Sequence, residues 1–495
     1  MCHVLLNQNY YNNTNPRSTE KAVSSNSPNV ISRLVYNKSV YFGHQKNCLI
    51  SHGLMMLVAL LFIFGQSETK NPLSVRSISD SIRVNSCQIS LCESMPIGMT
   101  YENNAIVLKS TYQTWMDLIH SAKRTIEIAS LYWTLNDQDF PAHDGAQEGK
   151  NIFNALLEAG RDRNLTLKIA RNIPFNRYSF HDINILQKDA HAQVVTLNFT
   201  SLWGNGVLHT KFWLIDRTHF YVGSANMDWR SLTQIKEIGV VGTKCSILAN
   251  DVGKIFDVYW QIGKQGKIPA NWPDVLRTKI NISNPLHWSD SINNKYSTFI
   301  SSSPAQLSPS GRTSDLSAIL YCINEAKQFI YISVMYFCPL RIYSIEKKFW
   351  PDIDNALKSA AINKKITIRI LISKWKSVEP FEDIFLTSLA YLNNSFKNVT
   401  IEVKKFIVPT NSSFDNLPYA RVKHDKFMVT DKIAYVGTSN WSEDYFIKTA
   451  GVGIVFKDVD HWNNNTIRDQ LEEVFLRDWN SKYVFPLNVS NQPIP

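Results

Sequence analysis

The feature that most constrains the fold of this 495-residue chain is a residue pattern that occurs twice. Each copy begins with His-x-Lys, continues to an Asp, and ends in Gly, a hydroxyl residue, any residue and Asn. The shared positions are His209, Lys211, Asp216, Gly223, Ser224 and Asn226 in the first copy, and His424, Lys426, Asp431, Gly437, Thr438 and Asn440 in the second. Because the copies lie a whole domain's length apart, the chain is predicted to contain a duplicated fold.

The chemistry of the pattern follows from its local structure. Residues 207–215 are rich in β-branched and aromatic types, which predicts a strand. Side chains alternate along a strand, so each His is expected to share a face with the Lys two residues later. One isolated His-x-Lys is more often part of a core. Two copies with the same Asp, Gly, hydroxyl and Asn instead indicate a site for an anionic oxygen centre.

The predicted elements alternate between strand and helix from about residue 105. The same order returns after a Pro- and Asn-rich linker at about 269–295. A hydrophobic fraction of 44% is sufficient for two cores in a chain of this length. The predicted fold is therefore α/β, with two similar α/β sandwich lobes at 105–275 and 290–488 related by a pseudo-twofold axis.

The segment before the lobes is predicted to have three parts. Residues 1–46 are rich in Asn and Ser without periodicity, which is typical of a disordered tail. Residues 47–66 contain an apolar run of about bilayer-spanning length after a basic stretch. This predicts a transmembrane signal anchor, with the tail in the cytosol and residues 67–104 as a luminal stem. The alternative is a signal peptide, but no clear cleavage site follows the apolar run.

Two features agree with a luminal body. Acceptor sequences for N-linked glycans follow the anchor at Asn164, Asn198, Asn281, Asn393, Asn398, Asn411, Asn464 and Asn488. Asn440 also fits the acceptor pattern, but its place inside the second motif predicts that it is unmodified. Among the luminal cysteines, the expected disulfide joins Cys87 or Cys92 to Cys245, and spacing does not support the alternative pair Cys322 and Cys338.

The net charge of +10 favours a polyanionic partner, either nucleic acid or an anionic membrane. Several aromatic residues near the motifs are candidates for stacking on bases. Burial in the core is the favoured interpretation for most of this aromatic set, which comprises Trp133, Trp203, Trp229, Tyr336 and Trp441.

The two motifs resemble the signature of the phospholipase D superfamily, H-x-K-x4-D followed by G-S/T-x-N in two copies. Residues 209–232, 418–422, 437–442 and 475–479 are similar to the phospholipase D three/four group, and the likeness covers about 85–485. The resemblance implies a single-pass type II membrane glycoprotein of the endoplasmic reticulum and the lysosome or endosome lumen. It also implies a phosphodiesterase that acts as a 5'-3' exonuclease on single-stranded DNA or RNA.

The expected mechanism uses no cofactor and no metal. One histidine attacks phosphorus and forms a phosphohistidine, while the other protonates the leaving oxygen and then activates water. The candidate catalytic set comprises His209, Lys211, Asp216, His424, Lys426 and Asp431. The two Asp residues are expected to serve structure, because their spacing places them away from the histidines. The supporting set comprises Ser224, Asn226, Glu237, Thr438 and Asn440.

Each histidine is expected to need a carboxylate on its other ring nitrogen. Glu237 follows the first motif on the next predicted strand and is expected to orient His209. In the second half the resemblance places a Glu where Lys448 stands, unless Glu443 or Asp444 substitutes for it. His209 is therefore the expected nucleophile.

Two alternative functions stay open at this point. One is a phospholipase D or phosphatidyltransferase that acts on lipid headgroups. The other, motivated by Lys448, is a weakened pseudoenzyme that works as a membrane-bound scaffold. The oligomeric state is also open, with a homodimer as one option.

Overall fold

The computed structural model describes residues 87–140, 143–175, 180–344, 346–378, 381–412, 414, 416–459 and 465–487. The predicted tail 1–46, the predicted anchor 47–66 and the first part of the predicted stem lie outside these residues. No helix within the described ranges has both the length and the apolar character needed to cross a bilayer.

The first lobe consists of ten strands and six α-helices within the described residues. Its strands are β1 (Gln88–Ser94), β2 (Lys109–Ser110), β3 (Thr125–Ser130), β4 (Trp133–Thr134), β5 (Thr166–Asn172), β6 (Gln193–Leu197), β7 (Phe212–Ile215), β8 (His219–Gly223), β9 (Met227–Asp228) and β10 (Glu237–Thr243). Its helices are α1 (Thr111–Ser121), α2 (Gln147–Arg161), α3 (His181–Asp189), α4 (Phe199–Trp203), α5 (Arg230–Thr233) and α6 (Ser246–Gln265). Eight strands form one mixed sheet in the order β2-β1-β10-β8-β7-β3-β5-β6.

The second lobe repeats this order with additions at both edges of its sheet. Its strands are β11 (Leu286–Ser289), β12 (Lys295–Ser303), β13 (Thr313–Ser314), β14 (Phe329–Val334), β15 (Leu340–Arg341), β16 (Lys348–Phe349), β17 (Thr367–Ser373), β18 (Ile401–Phe406), β19 (Lys426–Thr430), β20 (Ile433–Gly437), β21 (Gly451–Asp458) and β22 (Val484–Pro486). Its helices are α7 (Asp315–Glu325), α8 (Asp352–Lys364), α9 (Glu382–Ala390), α10 (Asp444–Ile447) and α11 (Ile467–Trp479). The sheet order is β11-β12-β21-β20-β19-β14-β17-β18-β22, with β13 paired to β12.

Local sequence explains why the two lobes start alike. Ser110 caps α1 by accepting a hydrogen bond from the backbone of Gln113, and Ser314 caps α7 in the same way for Ser317. In both lobes a parallel group of three strands, β3-β5-β6 and β14-β17-β18, adjoins an antiparallel group that carries the motifs. The duplication predicted from the motifs is therefore a duplication of the whole sheet.

The lobes share one apolar layer. Helix α6 packs on its own sheet and also touches β12, while α11 packs on the second sheet and also touches β1. Buried phenylalanines from both lobes, including Phe212, Phe256, Phe427 and Phe475, belong to one continuous core cluster. Each sheet has a second core on its opposite face, centred on α1 and α2 in the first lobe and on α7 and α8 in the second. This shared layer fixes the two motif strands relative to each other.

Some elements differ from the sequence-based predictions. Strand β1 lies within the predicted stem 67–104 and pairs along its whole length with β10, so the first sheet begins before residue 105. Helices α3 and α9 were not predicted, and β11 forms inside the predicted linker. The disulfide joins Cys87 to Cys245, which confirms one of the two expected pairings. Cys322 and Cys338 are both buried free cysteines in the described structure, so the alternative pair is wrong.

Candidate active site

The motif histidines lie where each lobe hydrogen-bonds to the other. The backbone N–H of His209 donates to Ala450 at 3.0 Å, and the N–H of His424 donates to Lys236 at 2.8 Å. Short parallel bridges beside these bonds join residue 208 to residue 450 and residue 236 to residue 423. His209 and Lys211 precede β7 rather than lying within the strand. The backbone of His209 bonds to the other lobe, whereas the carbonyl of Lys211 accepts from the N–H of Gly223 in its own lobe. Both motifs therefore enter one interlobe site.

Each motif lysine turns back toward its own histidine. The Lys211 Nζ donates to the backbone carbonyl of His209 at 2.5 Å, and the Lys426 Nζ donates likewise to that of His424. Burial lowers the pKa of His209 well below its ordinary value, and the charges of Lys211 and Lys426 lower it further. The pKa of His424 is lowered by burial and by the same two lysines. The two imidazoles and two ammonium groups thus share one electrostatic environment.

Glu237 contacts the histidine of the other lobe. Its Oε2 lies 2.8 Å from Nδ1 of His424, so the expected Glu237–His209 pairing is wrong. Burial raises the pKa of Glu237 to about 7, although Lys426 and hydrogen bonds from Ser224 and Ser231 oppose the shift. Strand β10 passes next to the start of the second motif, so the carboxylate of Glu237 reaches the ring of His424.

Sheet register identifies the counterpart of Glu237 in the second lobe. Gly223 lies opposite Gly239 in the first sheet, and Gly437 lies opposite Gly453 in the second. A Cβ on Gly239 or on Gly453 would lie 2.4 Å or 2.5 Å from the ring of the tyrosine two residues before the motif glycine. These glycines are therefore required by the packed tyrosine rings and mark equivalent positions.

The position equivalent to Glu237 is consequently Gly451, and the expectation that it is Lys448 is wrong. The Lys448 Nζ donates instead to the backbone carbonyl of Trp203 at 3.3 Å. Neither proposed substitute contacts His424: Glu443 pairs with Arg341, while Asp444 accepts hydrogen bonds from the backbone of residues 342 and 343. The second lobe thus supplies no carboxylate at the position that corresponds to Glu237.

The two motif asparagines are buried beside the histidines, with exposed fractions of 3% for Asn226 and 2% for Asn440. The Asn440 Nδ2 donates to the hydroxyl of Tyr445 at 3.0 Å, and the backbone N–H of Asn226 donates to Ser231 at 3.1 Å. Because α5 and α10 each begin four residues after the motif Asn, Ser231 and Tyr445 are equivalent residues. Neither was expected from the sequence, and their only sequence signal is this spacing.

The hydroxyl residue of each motif, which follows the motif glycine, is hydrogen-bonded to the adjacent strand. The Ser224 Oγ donates to the carbonyl of Ile238 at 3.1 Å and accepts from its N–H at 3.0 Å. The Thr438 Oγ1 accepts from the N–H of Val452 at 3.0 Å. These contacts assign the hydroxyls a positioning role beside the asparagines.

The motif carboxylates lie at the far ends of their strands. Asp216 accepts three backbone hydrogen bonds from residues 123–125, at 2.7–2.8 Å. Asp431 accepts two from residues 327–328, at 2.8 Å and 3.0 Å. Both carboxylates therefore close the turn before β3 or β14, as expected from their spacing.

A buried charge network, not expected from the sequence, lies beneath His424. It joins the lobes through ion pairs among Glu93, Lys236, Lys423, Asp425, Arg477 and Asp478. The Lys236 Nζ lies 3.0 Å from Asp478, and the Lys423 Nζ lies 2.6 Å from Asp425. Lys236 precedes Glu237, while Lys423 and Asp425 flank His424, so the network holds the backbone of the Glu237–His424 pair.

Two further expectations concern metals and aromatic residues. In the part of the chain that the structure describes, no group of three or more His, Cys, Asp or Glu residues could hold a metal ion. Four of the five aromatic residues considered for base stacking are buried, namely Trp133, Trp229, Tyr336 and Trp441. The core interpretation of these four is therefore correct.

Two His-x-Lys pairs with their asparagines, facing each other across a duplicated α/β fold, define a phosphodiester-cleaving site of the phospholipase D type. A family model described as "PLD3/4, PLD-like domain" matches residues 102–411. The "5'-3' exonuclease PLD3" of Xenopus laevis is 41% identical over 445 residues, which covers 89% of this chain and 88% of the relative. The "5'-3' exonuclease PLD4" of Mus musculus is 40% identical over 414 residues, covering 82% and 80%.

The chain therefore belongs to the PLD3/4 group of the phospholipase D superfamily. The solved structure of phosphatidylserine synthase from Haemophilus influenzae aligns with a TM-score of 0.50 and 11% identity, covering 76% of this chain and 85% of that one. At this identity the likeness shows the fold alone.

Proposed function

We propose that this protein is a 5'-3' exonuclease that hydrolyses phosphodiester bonds in single-stranded DNA or RNA. The convergence of both His-x-Lys pairs on one interlobe site carries the proposal, since two-sided displacement at phosphorus needs groups on opposite faces. Relatives named 5'-3' exonucleases support the substrate class and the polarity, because the human one aligns over 82% of this chain.

The proposed nucleophile is His424, which reverses the assignment made from the sequence. Glu237 accepts the proton of Nδ1 at 2.8 Å, so that Nε2 of His424 keeps its lone pair for attack. His209 takes the role of acid and base, since its half has Gly451 in place of the carboxylate. The argument for His209 as nucleophile depended on Glu237, and Glu237 lies against the other ring.

The reaction then has two displacements. His424 forms a nitrogen–phosphorus bond as the bond to the leaving oxygen breaks, and His209 gives its proton to that oxygen. His209 next takes a proton from water, the resulting hydroxide attacks phosphorus, and the nitrogen–phosphorus bond breaks to restore His424. The two motif lysines and asparagines bind the non-bridging oxygens throughout.

Substrate binding supports this division of roles. Burial and the two motif lysines lower the pKa of both histidines, which keeps His424 available for attack, whereas His209 must gain a proton to act as an acid. A bound phosphodiester adds a negative charge that offsets the two lysines and favours protonated His209. The Cys87–Cys245 disulfide supports an oxidising compartment. We extend the proposal to a lysosomal lumen reached through an anchor at 47–66, while a homodimer stays a prediction.

The test uses full-length protein and single-stranded oligonucleotides that carry a 5'-hydroxyl or a 5'-phosphate, each labelled at one end. The expected result is stepwise release of mononucleotides from the 5' end, and its loss in the double variant His209→Ala/His424→Ala. Release from the 3' end would contradict the proposed polarity. Cleavage of anionic phospholipid without nucleotide release would support the lipid-headgroup alternative instead.

A further inference from the structure

The pseudo-twofold axis pairs each residue around His424 with a counterpart around His209. At two neighbouring positions the residue type differs between the two halves. In the His424 half, the Ser231 Oγ donates to Glu237 at 3.0 Å, and Glu237 contacts the imidazole. In the His209 half, a tyrosine, Tyr445, stands at the position of Ser231, and Gly451 stands at the position of Glu237. The His209 half therefore has a larger residue at the first position, Tyr445 for Ser231, and no side chain at the second, Gly451 for Glu237.

The His209 half has no room for the missing carboxylate. A Cβ on Gly451 would lie 2.1 Å from the Oγ of Ser439 and 2.8 Å from the Oγ of Ser303. The Nδ1 of His209 is buried and has no hydrogen-bond partner among the described residues. The exchange thus leaves this imidazole without the hydrogen bond that orients His424.

Tyr445 contacts the imidazole of His209 directly. Its ring packs edge-on against His209, with centroids 5.1 Å apart and an interplanar angle of 77°. Its hydroxyl accepts from the Asn440 Nδ2 at 3.0 Å and lies 3.3 Å from the hydroxyl of Tyr343. Its backbone carbonyl accepts a hydrogen bond from Ser303 at 2.9 Å. The ring of Tyr445 therefore lies against the imidazole, while hydrogen bonds fix its hydroxyl beside Asn440 and its backbone carbonyl beside Ser303.

We propose that Tyr445 is the positioning residue of the His209 half, where its ring orients the imidazole by packing and its hydroxyl orients Asn440. The inference rests on the proposed function for its kinetic consequence. Glu237 orients its histidine through a hydrogen bond and an ionisable group, whereas Tyr445 does so without adding a negative charge. The charged groups that face His209 are then Lys211 and Lys426, with His424 as a third titratable neighbour.

The kinetic test compares two substrates. The leaving group of an oligonucleotide is an alkoxide, which needs the proton of His209. The leaving group of a nitrophenyl ester of thymidine phosphate is nitrophenolate, which leaves without protonation. Tyr445→Leu is expected to lower kcat on the oligonucleotide by about 100-fold, the lower range for a positioned acid. The first-turnover burst of nitrophenolate should change much less, because only the later attack of water on the intermediate needs His209. Tyr445→Phe keeps the ring and is expected to restore most of the oligonucleotide rate.

The matched control is the equivalent residue of the other half. Ser231→Ala disturbs Glu237 and therefore the nucleophile His424, so it is expected to slow both substrates by the same factor. In a folded Tyr445→Leu variant, an equal loss in oligonucleotide turnover and in the nitrophenolate burst would overturn the inference, because a merely structural role affects both reactions.

A titration separates this inference from the proposed function. In Tyr445→Leu, water reaches the imidazole, and the pKa of His209 measured by NMR is expected to rise towards the ordinary histidine value, while Tyr445→Phe leaves it unchanged. An unchanged pKa in Tyr445→Leu would overturn the positioning role. A wild-type protein that leaves oligonucleotides intact would refute the proposed function, and the titration would still decide the role of Tyr445.

Discussion

Beyond the motif lysines, the half-site around His424 is supported by charged groups, and the half-site around His209 by neutral ones. His424 has Glu237 on its ring and the six-residue charge network beneath its backbone. The equivalents of Lys423 and Lys236 on the other side are Leu208 and Ala450, which form the matching interlobe bridge. The same backbone geometry therefore supports an ionised scaffold on one side and an apolar scaffold on the other.

After the duplication, the positions of the catalytic groups have been preserved more strictly than the residues that support them. Both histidines donate a backbone hydrogen bond across the interface, and both lysines turn back to their histidine. The groups behind them have diverged, so His424 has a carboxylate on its Nδ1 and the Nδ1 of His209 has no partner among the described residues. In the proposed mechanism the histidine with the carboxylate is the nucleophile and the other is the acid.

The largest expected effect separates the histidines. His424→Ala removes the covalent nucleophile and should lower kcat by a factor on the order of 10⁶, as for other nucleophiles. His209→Ala should cost about 10²- to 10⁴-fold on oligonucleotides, the contribution of a general acid. With a nitrophenyl ester of thymidine phosphate, quenching of His209→Ala in alkaline denaturant, where a phosphohistidine is stable, should trap the nucleotidyl phosphate on residue 424. Phosphate trapped on His209 in the His424→Ala variant would restore the assignment made from the sequence.

The second comparison concerns stability. Lys423→Met leaves two buried carboxylates short of a partner and should lower the free energy of unfolding by about 3–5 kcal/mol. The control Leu208→Met, at the equivalent neutral position, should cost less than about 1.5 kcal/mol. Urea unfolding of both variants measures the difference. Equal costs would show that the charge network adds nothing to the interface.

The charge network also predicts a pH dependence. Burial alone would raise the pKa of Asp478, but Lys236, Lys423 and Arg477 outweigh it and hold that pKa well below its ordinary value. A carboxylate with a depressed folded pKa stabilises the protein above its unfolded pKa, about 3.9, and loses this contribution as pH falls. The wild-type advantage over Asp478→Asn should therefore persist at pH 5 and shrink below about pH 4. Thermal unfolding across this range tests the sign.

The turn carboxylates should behave alike in the two lobes. Asp216→Asn and Asp431→Asn each weaken charge-assisted hydrogen bonds from the backbone and should cost about 1–3 kcal/mol of stability. The kcat of the folded variants should stay at the wild-type value. A selective loss of kcat in either variant would show that its carboxylate reaches the reacting groups.

The smallest effect is expected at Lys448. Its ammonium lies on a backbone carbonyl of the first lobe and not on His424, so Lys448→Glu should change stability by about 0.5 kcal/mol and leave the rate unchanged. A rate gain confined to poor leaving groups would mean that residue 448 serves His424 after all. The weakened-pseudoenzyme alternative loses its motivation if Lys448→Glu is neutral.

The duplication, the residues of each motif and most of the strands and helices follow from the sequence alone. These features depend on local spacing: period-two and helical patterns, and the fixed separations of His, Lys, Asp, Gly and Asn within each motif. The spacing within each motif also predicts that the carboxylates lie away from the histidines. Helices α3 and α9 were missed because they are short and their apolar pattern is weak.

Which groups support each histidine depends on contacts between the two lobes. Glu237 and His424 are far apart in sequence, and their contact depends on how the shared apolar layer sets one lobe against the other. Sequence matching of the two halves placed Lys448 at the position equivalent to Glu237. The tyrosine rings packed over Gly239 and Gly453 fix the strand register instead, and this register makes Gly451 the equivalent of Glu237. Pairing between lobes is set by packing, and packing of this kind leaves no periodic signal in the chain.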